Sequence, residues 1–179
     1  MKPYCRVLYN KIRFTLRWLI IPGFRSNGIQ MFSGALRLHL DRSCHVEFED
    51  RIVSDGRMVI NVGKNAHLHI GRRVYFNEDA MISCKGNISI GNGCKFGPNV
   101  KIFDNNHRFD ANRGVLDIHS CGSIEIEENC WIAANVVILK GAHIGKNSVI
   151  GAGCVVDGFI PEKSIVTQGR SLLIERIRE

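Results

Sequence analysis

Six aliphatic residues stand six apart in the C-terminal half of the chain: Ile126, Ile132, Ile138, Ile144, Ile150 and Val156. Four residues after each of the first five comes a small or slim side chain, namely Cys130, Val136, Ala142, Ser148 and Cys154. Upstream the frame holds in pieces, as Ile70, Phe76 and Ile82, then Ile90, Phe96 and Ile102. Gly71, Gly91, Gly97, Gly145 and Gly151 directly follow frame positions. A period of six is neither helical nor a simple strand alternation. It fits a triangular coil of three short strands, with a large and a small residue turned inward on each side and a tight corner between sides. Coils of this kind stack through backbone hydrogen bonds, and their side chains form aliphatic ladders. Six consecutive frame positions speak against a β-sandwich with coincidental spacing. The chain is read as all-β, a parallel β-helix over residues 34–157.

Two segments flank it. Residues 1–33 carry Val7, Leu8, Ile12, Leu16, Leu19 and Ile20 among Lys2, Arg6, Lys11, Arg13 and Arg17. That pattern predicts a short amphipathic helix with a basic face. Such a helix can cap the open first coil, which a solenoid needs, or dock on an anionic membrane face. Residues 158–179 form a C-terminal tail, for which capping or packing on a neighbouring subunit is preferred.

The composition narrows the partners. A chain of 179 residues with 45% hydrophobic and only 8% aromatic content makes one domain with an aliphatic core. The net charge of +7 suits nucleic acid, an anionic membrane surface or a phosphorylated ligand. The basic residues form no long run and have no interleaved aromatics, which disfavours nucleic acid. Seven cysteines without CxxC pairs read as free thiols in a reducing compartment, pointing to a cytoplasmic location. No stretch reaches the ~18 apolar residues of a transmembrane helix, and "RWLII" lacks the features of a secretory signal.

The frame stops at "KIFDNNHRFD" (Lys101–Asp110) and returns near Ile126. Solenoids tolerate insertions as loops thrown from a corner, and such loops often carry function. The excursion is placed at 104–123, with His107 where the chain leaves the rigid coil. An imidazole there can take a proton from a hydroxyl and return it to a leaving group. The plain alternative is a solvated loop histidine. His39, His45, His67, His69, His119 and His143 are read as coil-face or loop residues only.

On three landmarks the chain resembles the left-handed β-helix acyltransferases, in the galactoside and maltose O-acetyltransferase branch that includes bacterial polysaccharide O-acetyltransferases. "VYFN" puts Asn77 at the position of that family's active-site asparagine, and "FGPNVKIFDNNH" puts His107 at that of its catalytic histidine. "ENCWIAANVVILKGAHIGKNSVIGAGCVV" is similar to the family's C-terminal coil run, with Trp131 in register. The resemblance covers residues 60–168 and implies a left-handed β-helix, an acetyl-CoA co-substrate, no metal, and a homotrimer with sites between neighbouring subunits. His107 is then the general base for direct attack of a sugar hydroxyl on the thioester, and Asn77 a donor from the adjoining subunit. Trp131 walls the pantetheine arm or the acceptor, while Ala134 and Ala152 leave room for the pantetheine. Asp104, three residues before His107, either orients the imidazole or simply forms a turn. The apolar outward residues Val137 and Leu139 fit the trimer.

The departures matter as well. Leu172 stands where relatives carry a lysine or arginine, so the nucleotide 3′-phosphate contact passes to Arg170, with Lys163 and Arg176 as alternatives. Cys84 or Lys85 replaces an acidic acceptor position, and a basic segment replaces the branch's N-terminal helices. A saccharide on a lipid carrier or a nucleotide therefore fits better than a small free galactoside. Sugar N-acetylation, xenobiotic acetylation and an inactive sugar-binding solenoid remain alternatives. A γ-type carbonic anhydrase would need three convergent histidines, and neither His39 with His45 nor His67 with His69 has that spacing.

Overall fold

In the computed structural model, which describes residues 3–169, helix α1 (Pro3–Ile20) precedes a stack of short strands running from Phe24 to Val166. The strands form three parallel sheets of seven, six and six strands. Sheet I contains His45–Phe48, His67–Ile70, Asn87–Ile90, Ser123–Ile126 and His143–Ile144; sheet II contains Tyr75–Phe76, Lys95–Phe96, Trp131–Ile132 and Val149–Ile150; sheet III contains Met58–Val62, Ala80–Cys84, Lys101–Phe103 and Val137–Leu139. The chain visits them in the order I, II, III and starts again. This is the left-handed parallel β-helix of hexapeptide repeats, and its strands extend past residues 34–157 at both ends. Residues 170–179, including Arg170, Leu172 and Arg176, lie outside the described residues.

The six-residue frame is the core. Ile126 pairs with Ile144, Ile132 with Ile150 and Ile138 with Val156, all buried. Cys130, Val136, Ala142, Ser148 and Cys154 are buried beside them. Each fully buried aliphatic of this kind stabilises the fold by about 1.5–3 kcal/mol. All seven cysteines are unpaired. Corners take the left-handed backbone that asparagine tolerates best among non-glycine residues, as at Asn99, Asn129, Asn135 and Asn147.

The upstream interruptions of the frame also have a physical cause. Phe48 pairs with Ile70, Ile70 with Ile90 and Ile126 with Ile144, steps of 22, 20 and 18 residues. The early coils are longer because Met58–Val62 and Ala80–Cys84 each add a further inward residue, Val62 and Cys84. Larger side chains fill the wider section: Phe14, Phe24, Phe32 and Phe48 cluster at its end, and Phe76 stacks on Phe96.

Helix α1 packs on the first coil, with Arg6 and Arg13 turned toward the coil and Lys11 left exposed. Arg6 donates to the carbonyls of Phe32 (3.1 Å) and Ser54, and Arg13 to that of Leu36 (2.7 Å). Asn10 Nδ2 also donates to Phe32 O at 2.8 Å. The reason lies in the solenoid: its open end presents backbone acceptors that need donors. Arginine and asparagine therefore turn inward with Phe14, and Leu8, Ile12, Leu16, Leu19 and Ile20 turn outward.

Candidate active site

The 104–123 excursion is a β-hairpin. Strand Asn105–Asp110 pairs antiparallel with Gly114–Cys121, with a register shift between His107 and Phe109. It projects from the corner between sheets III and I, after Lys101–Phe103 and before Ser123–Ile126. His107 is exposed on it. Its Nδ1 lies 3.2 Å from Leu116 O. A carbonyl only accepts, so Nδ1 carries the hydrogen and Nε2 keeps its lone pair for an incoming proton.

Asp104 does not perform the orienting role. It is 0% exposed, and its carboxylate accepts from the backbone N–H of Lys85 (2.8 Å) and Gly86 (2.7 Å) and from Asn105 Nδ2 (3.0 Å). Those bonds clamp the hairpin base to the coil below, while Leu116 O holds the imidazole. Replacing Asp104 by alanine removes the acceptor of two part-buried amides and leaves a void where the buried carboxylate was, each lost bond worth about 1–2 kcal/mol. Asp104→Ala should therefore lower unfolding stability by about 2–4 kcal/mol in a denaturant titration, with the Leu116 contact to His107 left in place.

Sequence reasoning passed over His119. It is the cross-strand partner of His107, and the two rings lie 4.1 Å apart between centroids at 44°. Its Nε2 accepts from Lys85 Nζ at 2.7 Å. Partial desolvation, then the Lys85 ammonium and His107, lower the pKa of His119, against a smaller opposing effect of Asp117. The lowered pKa favours the neutral form of the ring that lies beside His107. Lys85→Met should move the His119 titration midpoint upward in an NMR pH series. Two side chains that meet only through strand pairing are invisible as a pair in a linear reading, although Gly114 and the alternation of "VLDIHSC" carry a hairpin signal.

The other candidates collect at a different corner, between sheets II and III. There the chain turns through Asn77, then Gly97, then Ala133, then Gly151, stacked one above another by Asn77 N–H to Phe96 O, Gly97 N–H to Ile132 O and Ala133 N–H to Ile150 O, all 2.8–2.9 Å. Ala134 and Ala152 occupy the next step of the same turn, where Gly153 N–H donates to Ala134 O at 2.9 Å. A side chain on Gly97 would come within 2.7 Å of Ala134 N, so this edge is kept slim. Asn77 Oδ1 accepts from Glu78 N–H at 2.7 Å, which points the Nδ2 donors away from the backbone; they meet no partner among the described residues. Trp131 lies on the outer face of sheet II between Lys95 and Val149, and is 55% exposed. Lys163 is an exposed corner residue paired with Glu162 at 3.5 Å. The chain therefore holds Asn77, Trp131, Ala134 and Ala152 along one edge and His107 at another. Between them lies sheet III, whose half-buried outward residues are apolar at Val59, Met81, Phe103, Val137 and Leu139 and polar at Asn61, Ser83 and Lys101.

Residues 123–158 match the family model described as bacterial transferase hexapeptide (six repeats). The chain is 37% identical over 114 residues to galactoside O-acetyltransferase of Lactococcus lactis subsp. lactis (strain IL1403), covering 64% of this chain and 54% of that protein. It is 31% identical over 147 residues to galactoside O-acetyltransferase of Escherichia coli (strain K12), covering 75% of this chain and 71% of that protein. The chain belongs to the hexapeptide-repeat acetyltransferase family. A solved member, a hexapeptide-repeat-containing acetyltransferase of Vibrio cholerae complexed with acetyl coenzyme A, superposes with a TM-score of 0.58 at 21% identity, over 87% of this chain and 71% of that one. It shares the fold of this family member. The chain spans little more than half of the length of the Lactococcus relative.

Proposed function

We propose that the protein is an acetyl-CoA-dependent O-acetyltransferase acting on a sugar hydroxyl of a bacterial surface polysaccharide or its precursor. The observation that carries this reading is the His107 ring, locked through Nδ1 by Leu116 O with Nε2 free at the edge of a coil. Nε2 takes the proton of the acceptor hydroxyl, and the oxygen attacks the thioester carbonyl. The tetrahedral intermediate collapses, the C–S bond breaks, and the imidazolium returns the proton to the departing thiolate. No acyl-enzyme forms.

The oxyanion needs a donor that His107 cannot supply. The Nδ2 of Asn77 is such a donor, but it sits at another corner of the same chain. Packing of the largely aliphatic upper part of the sheet III face, Val137 and Leu139 among it, within a homotrimer brings Asn77 of the partner subunit toward His107. Trp131 and the slim Ala134–Ala152 edge then line the groove for the pantetheine arm. The relatives named above are galactoside acetyltransferases; Lys85 beside His119 and the absence of any Asp or Glu before Asp41 favour an anionic acceptor here, one carried on a lipid or nucleotide phosphate. The test is thiol release from acetyl-CoA with candidate acceptors, coupled to mass spectrometry. Acceptor-dependent release with one acetyl gained on a sugar oxygen supports the reading; acetyl gained on an amine overturns the O-specific part.

A further inference from the structure

We infer that the outward face of helix α1 is a docking surface for an anionic lipid bilayer, on which the helix lies flat with the solenoid standing away from it. The inference does not depend on acetyl transfer. A capping helix ordinarily spends its apolar side on the core, whereas here Arg6, Asn10 and Arg13 face the coil because backbone carbonyls await them. The apolar side is left over. Leu8 is 60% exposed and Ile12 55%, and with Leu16 they make a stripe at helical spacing that continues into Leu19 and Ile20. An apolar strip of this extent on a polar solenoid marks a contact surface.

Three observations select lipid over protein. Tyr4, Tyr9 and Trp18 are also exposed on this helix, the residue types that settle at the level of lipid headgroups. The first forty residues contain seven Lys and Arg and no Asp or Glu, so the helix and the first strand carry only positive charge toward an acidic leaflet, while Glu47 lies opposite Arg25 in the sheet and Asp50 accepts from Ile29 N–H. Beside the helix, between α1 and the first coil, lies a recess of 590 Å³ lined by Lys11, Trp18, Arg25 and Ile29 among others. Its mixture of cations and apolar walls suits a phosphate headgroup with the start of its acyl chain. Among the described residues no helix is long and apolar enough to cross a membrane, so the helix lies on the surface. Docking there would hold the solenoid beside any acceptor built on a lipid carrier.

The experiment is co-sedimentation of the full chain with vesicles of phosphatidylcholine alone and of phosphatidylcholine with phosphatidylglycerol. Wild type should bind the anionic vesicles about tenfold more strongly than the neutral ones, and high salt should weaken that binding. Leu8→Glu/Ile12→Glu should reduce binding by about tenfold or more, with an unchanged thermal melt because both side chains point to solvent. Leu16→Gln/Leu19→Gln provides the same loss with good helix formers should the first pair fail to fold. Lys11→Gln/Arg25→Gln should remove most of the preference for anionic vesicles. Absence of vesicle binding by wild type, or undiminished binding by the folded leucine variants, overturns the inference. So does a doubling of mass in sedimentation velocity that the leucine variants abolish, since the face would then join two copies of this chain.

Discussion

His107→Ala should lower kcat by about 10²–10⁴-fold, the usual worth of a positioned general base, while KM for acetyl-CoA and the unfolding midpoint stay close to wild type. The separation of effects follows from where the side chain sits. It is exposed on the hairpin, contributes nothing to the aliphatic ladder, and makes its hydrogen bond to a single carbonyl, Leu116 O. Removing it leaves an acceptor near solvent, which costs little. His107→Gln is an informative companion: its amide can reach Leu116 but cannot take a proton, so it should be as inactive as alanine. Near-normal transfer by either variant would reduce His107 to a polar hairpin residue.

Much of this architecture can be read directly from the chain. The frame from Ile126 to Val156 states both the solenoid and its inward residues, because each coil imposes the same steric demand on every third hexad. The point at which the frame stops marks the hairpin. Other features depend on contacts that no local pattern encodes. Whether Arg6 and Arg13 face solvent or the coil depends on which backbone acceptors the first coil leaves open, and those exist only once the coil has closed. The same holds for Asp104: its position before "NNH" suggests a partner for the imidazole, yet the amides of Lys85 and Gly86 rise from the coil beneath and claim the carboxylate. His119 becomes a neighbour of His107 only through antiparallel pairing with a shift at the bulge. Long-range register was the missing information in each case.

Subunit mixing distinguishes a shared site from one contained in a single chain. His107→Ala and Asn77→Ala should each be strongly impaired alone, the second by about 10²–10³-fold if its amide serves the oxyanion. In the proposed cyclic trimer, each site would draw His107 from one subunit and Asn77 from the next. Any mixed trimer then contains one site in which both residues are native. Refolding or co-expressing the two variants in equal amounts makes about three quarters of the trimers mixed, so about one quarter of the wild-type rate should return. That recovery exceeds either parent by well over tenfold and needs no new contact. It follows from the geometry of a single chain: Asn77 turns at the corner after sheet II, His107 leaves at the corner after sheet III, and the face carrying Val137 and Leu139 lies between them. Mixtures that show only the average of the parents, under conditions where exchange is verified by mass, would place both residues' roles within one subunit or remove Asn77 from the chemistry.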